Sequence, residues 1–128
     1  MSPGGKVTRI APKVLGHVPL PASTYDPILL GLEGVTQSSI GTASAVFQGF
    51  NFTRWNVAGK TGTATSANGV QPVSWFVAFG GPRNRPFEYA VCVEVDQGGY
   101  GATASAPVVR EIFNYLYQHG IAALHLPK

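Results

Sequence analysis

The spacing of apolar positions changes period along the chain. Ile28, Leu29, Leu32 and Val35 share one face at helical spacing and predict a helix over 27–38. Asp26-Pro27 reads as its N-cap, with proline at the first helical position. Gly31 and Gly34 either weaken this helix or let it pack closely. Ala43, Val46, Phe47 and Phe50 fit i, i+3, i+4, i+7 and predict a second, short helix over 41–49. Beyond it the period falls to that of strands, expected at 56–65, 74–80 and 87–96. Trp75 to Phe79 is apolar on both faces, the mark of a central strand, whereas Tyr89, Val91, Val93 and Val95 alternate with Ala90, Cys92 and Glu94. Asn68-Gly69 within Ser66–Pro72, and the polar run Gly81–Pro86, are short turns, so adjacent strands pair antiparallel. Gln97–Gly101 reads as a flexible link. The last helix is expected near 104–119, capped by Thr103 or Ser105, with Pro107 tolerated in its first turn and Gly120 closing it. Its buried stripe would be Val108, Val109, Ile112, Phe113 and Leu116. Residues 1–26 read as extended, with Val7–Ile10 a candidate short strand and Pro12, Pro19 and Pro21 against helix. The fold class is therefore α+β: an antiparallel meander with packed helices.

The chemistry concentrates in the first strand, Val57-Ala58-Gly59-Lys60-Thr61-Gly62-Thr63-Ala64-Thr65. Alternation points Lys60, Gly62 and Ala64 one way and Thr61, Thr63 and Thr65 the other. A glycine kept inside a strand often marks close approach by a backbone or a ligand. One face thus carries a cation beside a gap and the other a ladder of hydroxyls, an edge suited to an extended peptide ending in a carboxylate. A P-loop would need a glycine five residues before Gly59-Lys60 and a helix after it; Arg54 stands there, and a turn follows. A threonine-rich edge strand with an incidental lysine is the other reading, and the three residues Lys-Thr-Gly alone do not exclude it.

Composition narrows the field. Of 128 residues, 45% are hydrophobic and only 12% charged, a balance that suggests a surface normally covered by something else. The net charge of +3 comes without a basic cluster, which argues against nucleic acid as a partner. Cys92 is the only cysteine, so no internal disulfide is possible, and its apolar context predicts a small core residue. No apolar run approaches the roughly 18 residues of a membrane span, and Met-Ser-Pro-Gly-Gly-Lys lacks the apolar core of a signal peptide. This segment is thus expected to make no membrane contact and to carry no address. His17 has no second metal-type ligand at useful spacing, and no metal or cofactor is implied.

Lys60-Thr61-Gly62-Thr63, set in Val-Ala-Gly-Lys-Thr-Gly-Thr-Ala, resembles the third signature of the penicillin-binding transpeptidases. The flanks are similar too: Gly41-Thr42-Ala43, Ser74-Trp75-Phe76-Val77-Ala78-Phe79 and Ala104-Ser105-Ala106-Pro107 match the C-terminal third of class B penicillin-binding proteins. The resemblance runs from about residue 4 to 120. It implies an incomplete part of a β-lactamase/transpeptidase-like fold, whose parent cross-links peptidoglycan stem peptides through a serine acyl-enzyme and is acylated by β-lactams. It further implies an anchored parent at the extracytoplasmic face of a bacterial membrane. Carried over residue by residue, Lys60 would support the electrostatics of the cleft and Thr61 and Thr63 would bind the substrate carboxylate. The Thr63 N–H would be an oxyanion donor, Gly62 would keep the cleft side clear, and Tyr100 would flank the cleft. Trp75 is expected to pack in the core, with a place flanking the cleft as its other reading.

The nucleophile of that family is missing. Its signature is Ser-x-x-Lys, and the residues three before Lys6, Lys13, Lys60 and Lys128 are Pro3, Ile10, Val57 and His125. Ser66-Ala67-Asn68 matches the family's Ser-x-Asn as text but follows the lysine strand instead of preceding it. The chain is accordingly expected to be the C-terminal portion of a larger domain, inactive alone, with the rest of that domain as its partner. A D,D-carboxypeptidase or serine β-lactamase of the same fold, and a non-catalytic scaffold domain, remain as alternatives.

Overall fold

A computed structural model describes residue 11 and residues 13–65 and 70–119. The elements run α1 (Ala22–Gln37), β1 (Trp55–Ala64), β2 (Val73–Pro82), β3 (Tyr89–Val95) and α2 (Ser105–His119). The strands form one antiparallel sheet in the order β1-β2-β3. Register pairs Thr63 with Ser74, Gly62 with Trp75 and Lys60 with Val77, then Val77 with Cys92. The α+β meander thus has the expected strands to within two residues. The expected strand at Val7–Ile10, the Asn68-Gly69 turn and the Gly120 cap lie outside the described residues.

Alternation gives the sheet two unlike faces. Trp55, Val57, Phe76 and Ala78 lie on one and are buried under α2 and the segment 42–50. Phe113 of α2 is fully buried there, with its ring 6.0 Å from that of Trp55. Gly80 is required beneath it: a Cβ would stand 2.9 Å from the Phe113 ring. On the opposite face α1 packs chiefly against β1. There Gln37 donates to Asn56 Oδ1 at 2.8 Å, Asn56 donates to Glu33, and Ala58 is fully buried. Farther across that face Val77 is 47% exposed and Cys92 is exposed.

Five expectations need correction. First, α1 begins at Ala22, not at Asp26-Pro27, and Pro27 sits inside it. The missing proline N–H falls in an exposed turn, where water can satisfy the freed carbonyl. Second, residues 42–49 form a run of turns, not a regular helix. Their bonds mix i−3 partners (Ser44 to Gly41, Val46 to Ala43) with one i−4 partner (Phe47 to Ala43), and Gly49 ends the run at φ 79°. The apolar spacing still buries Ala43, Phe47 and Phe50. Third, Ser105 does not cap α2: its hydroxyl donates to the Ser74 carbonyl at 2.9 Å. Fourth, the stripe of α2 is Ala106, Val109, Phe113 and Leu116, while Val108 is 44% exposed. Fifth, Cys92 is not a core residue, because among the described residues nothing covers its side of the sheet.

Phe113→Ala is expected to cost about 3–5 kcal/mol through the cavity it leaves. Val108→Ala is expected to change stability by less than about 0.5 kcal/mol. Urea unfolding of the two variants measures both.

Candidate functional site

The first half of β1 is held on three sides: by β2, by α2's layer and by α1. The buried hydroxyl of Thr36 donates to the Val57 carbonyl at 2.7 Å, so that carbonyl turns away from β2. In an antiparallel edge strand such outward groups recur every second residue. The N–H and C=O groups of Thr61 and Thr63 therefore face the same open edge, beyond the reach of α1. Lys60 Nζ confirms the direction by donating to the Thr61 carbonyl at 2.8 Å.

Side chains follow the expected alternation. Lys60 is exposed on the α1 side and rims a cavity of about 300 Å³ with Gly34, Val35, Gly41 and Thr42. Thr61 and Thr63 continue the buried face past the end of its cover; Thr61 is half-buried and Thr63 exposed. The Thr61 hydroxyl lies 3.0 Å from that of Thr42. Gly62 leaves the opposite face flat, and a Cβ there would come within 3.1 Å of Trp75 Cβ. Trp75, expected in the core, is half-buried on that face, across the register from Gly62.

Tyr100 reaches the same end of the sheet through a buried hydroxyl pair. Ser74 and Ser105 lie 2.8 Å apart, and Ser74 Oγ is 3.0 Å from the Tyr100 carbonyl it can donate to. Because Ser74 is the register partner of Thr63, Tyr100 stands one strand over from the threonine edge and is 73% exposed. The segment read as a flexible link is anchored instead. Gly99 N–H donates to Pro72, Gly101 accepts from Ala106, and Gly101 is buried over the Gly62–Trp75 rung. A Cβ on Gly101 would lie 2.3 Å from the Trp75 carbonyl oxygen and 2.7 Å from that of Gly62.

The structure thus gathers Lys60, Thr61, Gly62 and Thr63 on one open strand and brings Tyr100 beside it. Sequence reasoning missed Thr42, Ser74 and Gly101 as parts of this end of the sheet. Gly41-Thr42-Ala43 and Ser74-Trp75 stood out only as flanks, since no periodicity encodes a contact between residues 42 and 61. Chemically, the arrangement offers backbone donors and acceptors for an extended peptide, two hydroxyls and one cation. Among the described residues no three His, Cys, Asp or Glu side chains cluster as a metal site.

Residues 4–114 match the sequence family described as the penicillin binding protein transpeptidase domain. Among solved structures the chain is similar to Pseudomonas aeruginosa PBP2 in its complex with WCK 5153, with a TM-score of 0.66 and 29% identity. That likeness covers 84% of this chain and 23% of that one, so the chain spans a minor part of PBP2's length. No curated protein matches it.

Gly101→Ala is expected to push the Tyr100 segment off the rung and cost about 1–3 kcal/mol, as overpacking does. Urea unfolding checks the cost, and faster hydrogen exchange at the Ala106 amide checks the displacement.

Proposed function

The chain belongs to the penicillin-binding protein transpeptidase domain family, and on that premise we propose that it forms one wall of a serine D,D-transpeptidase that cross-links peptidoglycan stem peptides. The observation that carries this reading is the edge of β1 that the described residues leave unpaired, extended, accessible and lined by Thr61 and Thr63. A substrate peptide adds to that edge as a strand, its backbone bonding to the outward groups of Thr61 and Thr63. The threonine hydroxyls take its terminal carboxylate, or that of a β-lactam. Lys60 supplies positive charge to the cleft, and Tyr100 flanks it.

The attacking serine belongs to polypeptide outside these 128 residues, since no Ser-x-x-Lys occurs in them. It opens the bond between two D-alanines to give an acyl-enzyme and free D-alanine. An amine of a neighbouring strand then displaces the serine. The Thr63 N–H is one of two donors to the oxyanion formed in each step; losing such a donor costs ~10²–10³ in rate in other acyl-transfer enzymes. The remainder of the domain also covers the apolar surfaces that the described residues leave open. These are the Val77–Cys92 face and a groove of about 550 Å³ between β3 and α2, walled by Tyr89, Val91, Ile112 and Tyr115. The parent works at the extracytoplasmic face of a bacterial membrane, anchored by sequence upstream.

A fluorescent penicillin tests this assignment. The chain alone is expected to remain unlabelled, whereas the protein that joins it to a Ser-x-x-Lys segment is labelled at that serine and releases the label slowly. Labelling of any serine within the chain would overturn the reading. Rapid turnover of the penicillin would show a β-lactamase instead.

A further inference from the structure

Thr42 adds nothing to the core, for its side chain is exposed, yet its backbone is held on both sides. Gly41 N–H donates to the Ser38 carbonyl at 2.8 Å and Ala43 N–H to the Val35 carbonyl at 3.0 Å. Gly41 also lies so close to the last turn of α1 that a Cβ would stand 2.2 Å from the Gly34 oxygen and 2.6 Å from that of Val35. These contacts suspend Thr42 over the open edge of β1. There its hydroxyl meets that of Thr61 at 3.0 Å, and it shares the wall of the 300 Å³ cavity with Lys60.

Each hydroxyl has one proton to donate and two lone pairs to accept. A pair joined by one hydrogen bond therefore keeps one proton free. When Thr42 is the donor, the free proton is that of Thr61, and accepting a bond polarises the Thr61 O–H toward an anion. A carboxylate arriving at Thr61 selects this arrangement over its reverse. The backbone bonds around Thr42 have already fixed the donor, so little further ordering is needed when the anion binds.

We propose that Thr42 is a positioning residue whose hydroxyl holds Thr61 in the rotamer that presents its O–H to a carboxylate at the edge of β1. The inference rests on the carboxylate role proposed above for Thr61, but the rotamer is observable without it.

The test uses the isotope-labelled 128-residue chain. Three-bond couplings from the Thr61 methyl group to the backbone report its χ1 angle. They are expected to show one rotamer in the parent chain and in Thr42→Ser, and averaging in Thr42→Val, with Thr63 unaffected. Thr42→Ala gives the same reading should valine disturb the fold. Couplings at Thr61 that stay unchanged without the Thr42 hydroxyl would overturn the proposal. Titration with acetyl-D-alanyl-D-alanine, followed at the Thr61 and Thr63 amides, supplies the second arm. Thr42→Val is expected to weaken the apparent affinity roughly five-fold, the effect of one net hydrogen bond. Thr42→Ser should restore it, and the C-terminal amide of the same peptide should show no such dependence. Averaging at Thr61 with undiminished carboxylate affinity would also overturn the proposal. If the parent chain shows no preference for carboxylate over amide, the carboxylate reading of Thr61 fails, and the couplings alone decide whether Thr42 positions it.

Discussion

One buried hydrogen bond defines which part of β1 is covered and which is left free. Thr36, 2% exposed in the last turn of α1, donates to the Val57 carbonyl at 2.7 Å. A buried carbonyl without a partner would cost about 1–3 kcal/mol. Gln37 Nε2 donates to the same carbonyl at 3.3 Å, so two side chains of α1 fasten the helix to the strand's outer edge. This fastening also uses up that helix: α1 ends at Gln37, and the chain turns through Gly41 before it can run farther along β1. The same outward alternation that Thr36 satisfies at Val57 is left unsatisfied by regular structure at Thr61 and Thr63. The open edge is thus a consequence of where the helix stops.

Close approach is the second constraint, and glycine provides it at each layer. Gly41 lets the segment after α1 lie on the helix's terminal carbonyls, and Gly101 lets the Tyr100 segment lie on the Gly62–Trp75 rung. Gly59 leaves room for the Phe76 ring, which a Cβ would approach to 2.9 Å. Packed interiors transmit such contacts with little slack. The threonine edge is therefore gripped from below by side-chain packing and at its end by the Ser74–Ser105 pair, while its outer side meets only the Thr42 hydroxyl and the Lys60 side chain among the described residues' hydrogen bonds.

Much of this was legible in the sequence because two signals were strong. Period-two alternation in 87–96 has no helical alternative, and the stripe of Val109, Phe113 and Leu116 has no strand alternative; the doubly apolar run at Trp75–Phe79 reads as a strand through its shortness, its aromatics and the Gly80-Gly81-Pro82 that follow. The candidate site at Lys60–Thr63 was legible because it lies within one strand, where alternation alone sorts its side chains. What failed did so for physical reasons. Pro27 is a good first helical residue, but an exposed helix tolerates it inside at the loss of a bond that water can replace. Apolar spacing in Ala43–Phe50 reports which side is buried, and a run of turns buries the same side as a helix. Cys92 has the local context of a core residue, but burial depends on what lies across the sheet, which neighbouring residues do not encode. The contact between Thr42 and Thr61 is of that kind too.

Under the proposed reading, chemical and structural incompleteness coincide. A sheet edge without a partner and an apolar groove beside it are liabilities that folded proteins cover or charge. Here β3 carries one acidic residue, Glu94, and its flank is the groove between Tyr89, Val91 and α2. A helical or strand element laid there would bury Val108 and Tyr115, now 44% and 53% exposed. The threonine edge, by contrast, is polar, bears a cation and is closed from behind, so it gains nothing from permanent cover. Under the proposed reading, additional polypeptide completes the apolar sides of the sheet and brings the serine to the polar one. The sheet then needs no rearrangement to become a catalytic wall. Its polar edge is already shaped by Thr36, Gly41 and Gly101, and assembly has only to place an attacking group opposite it.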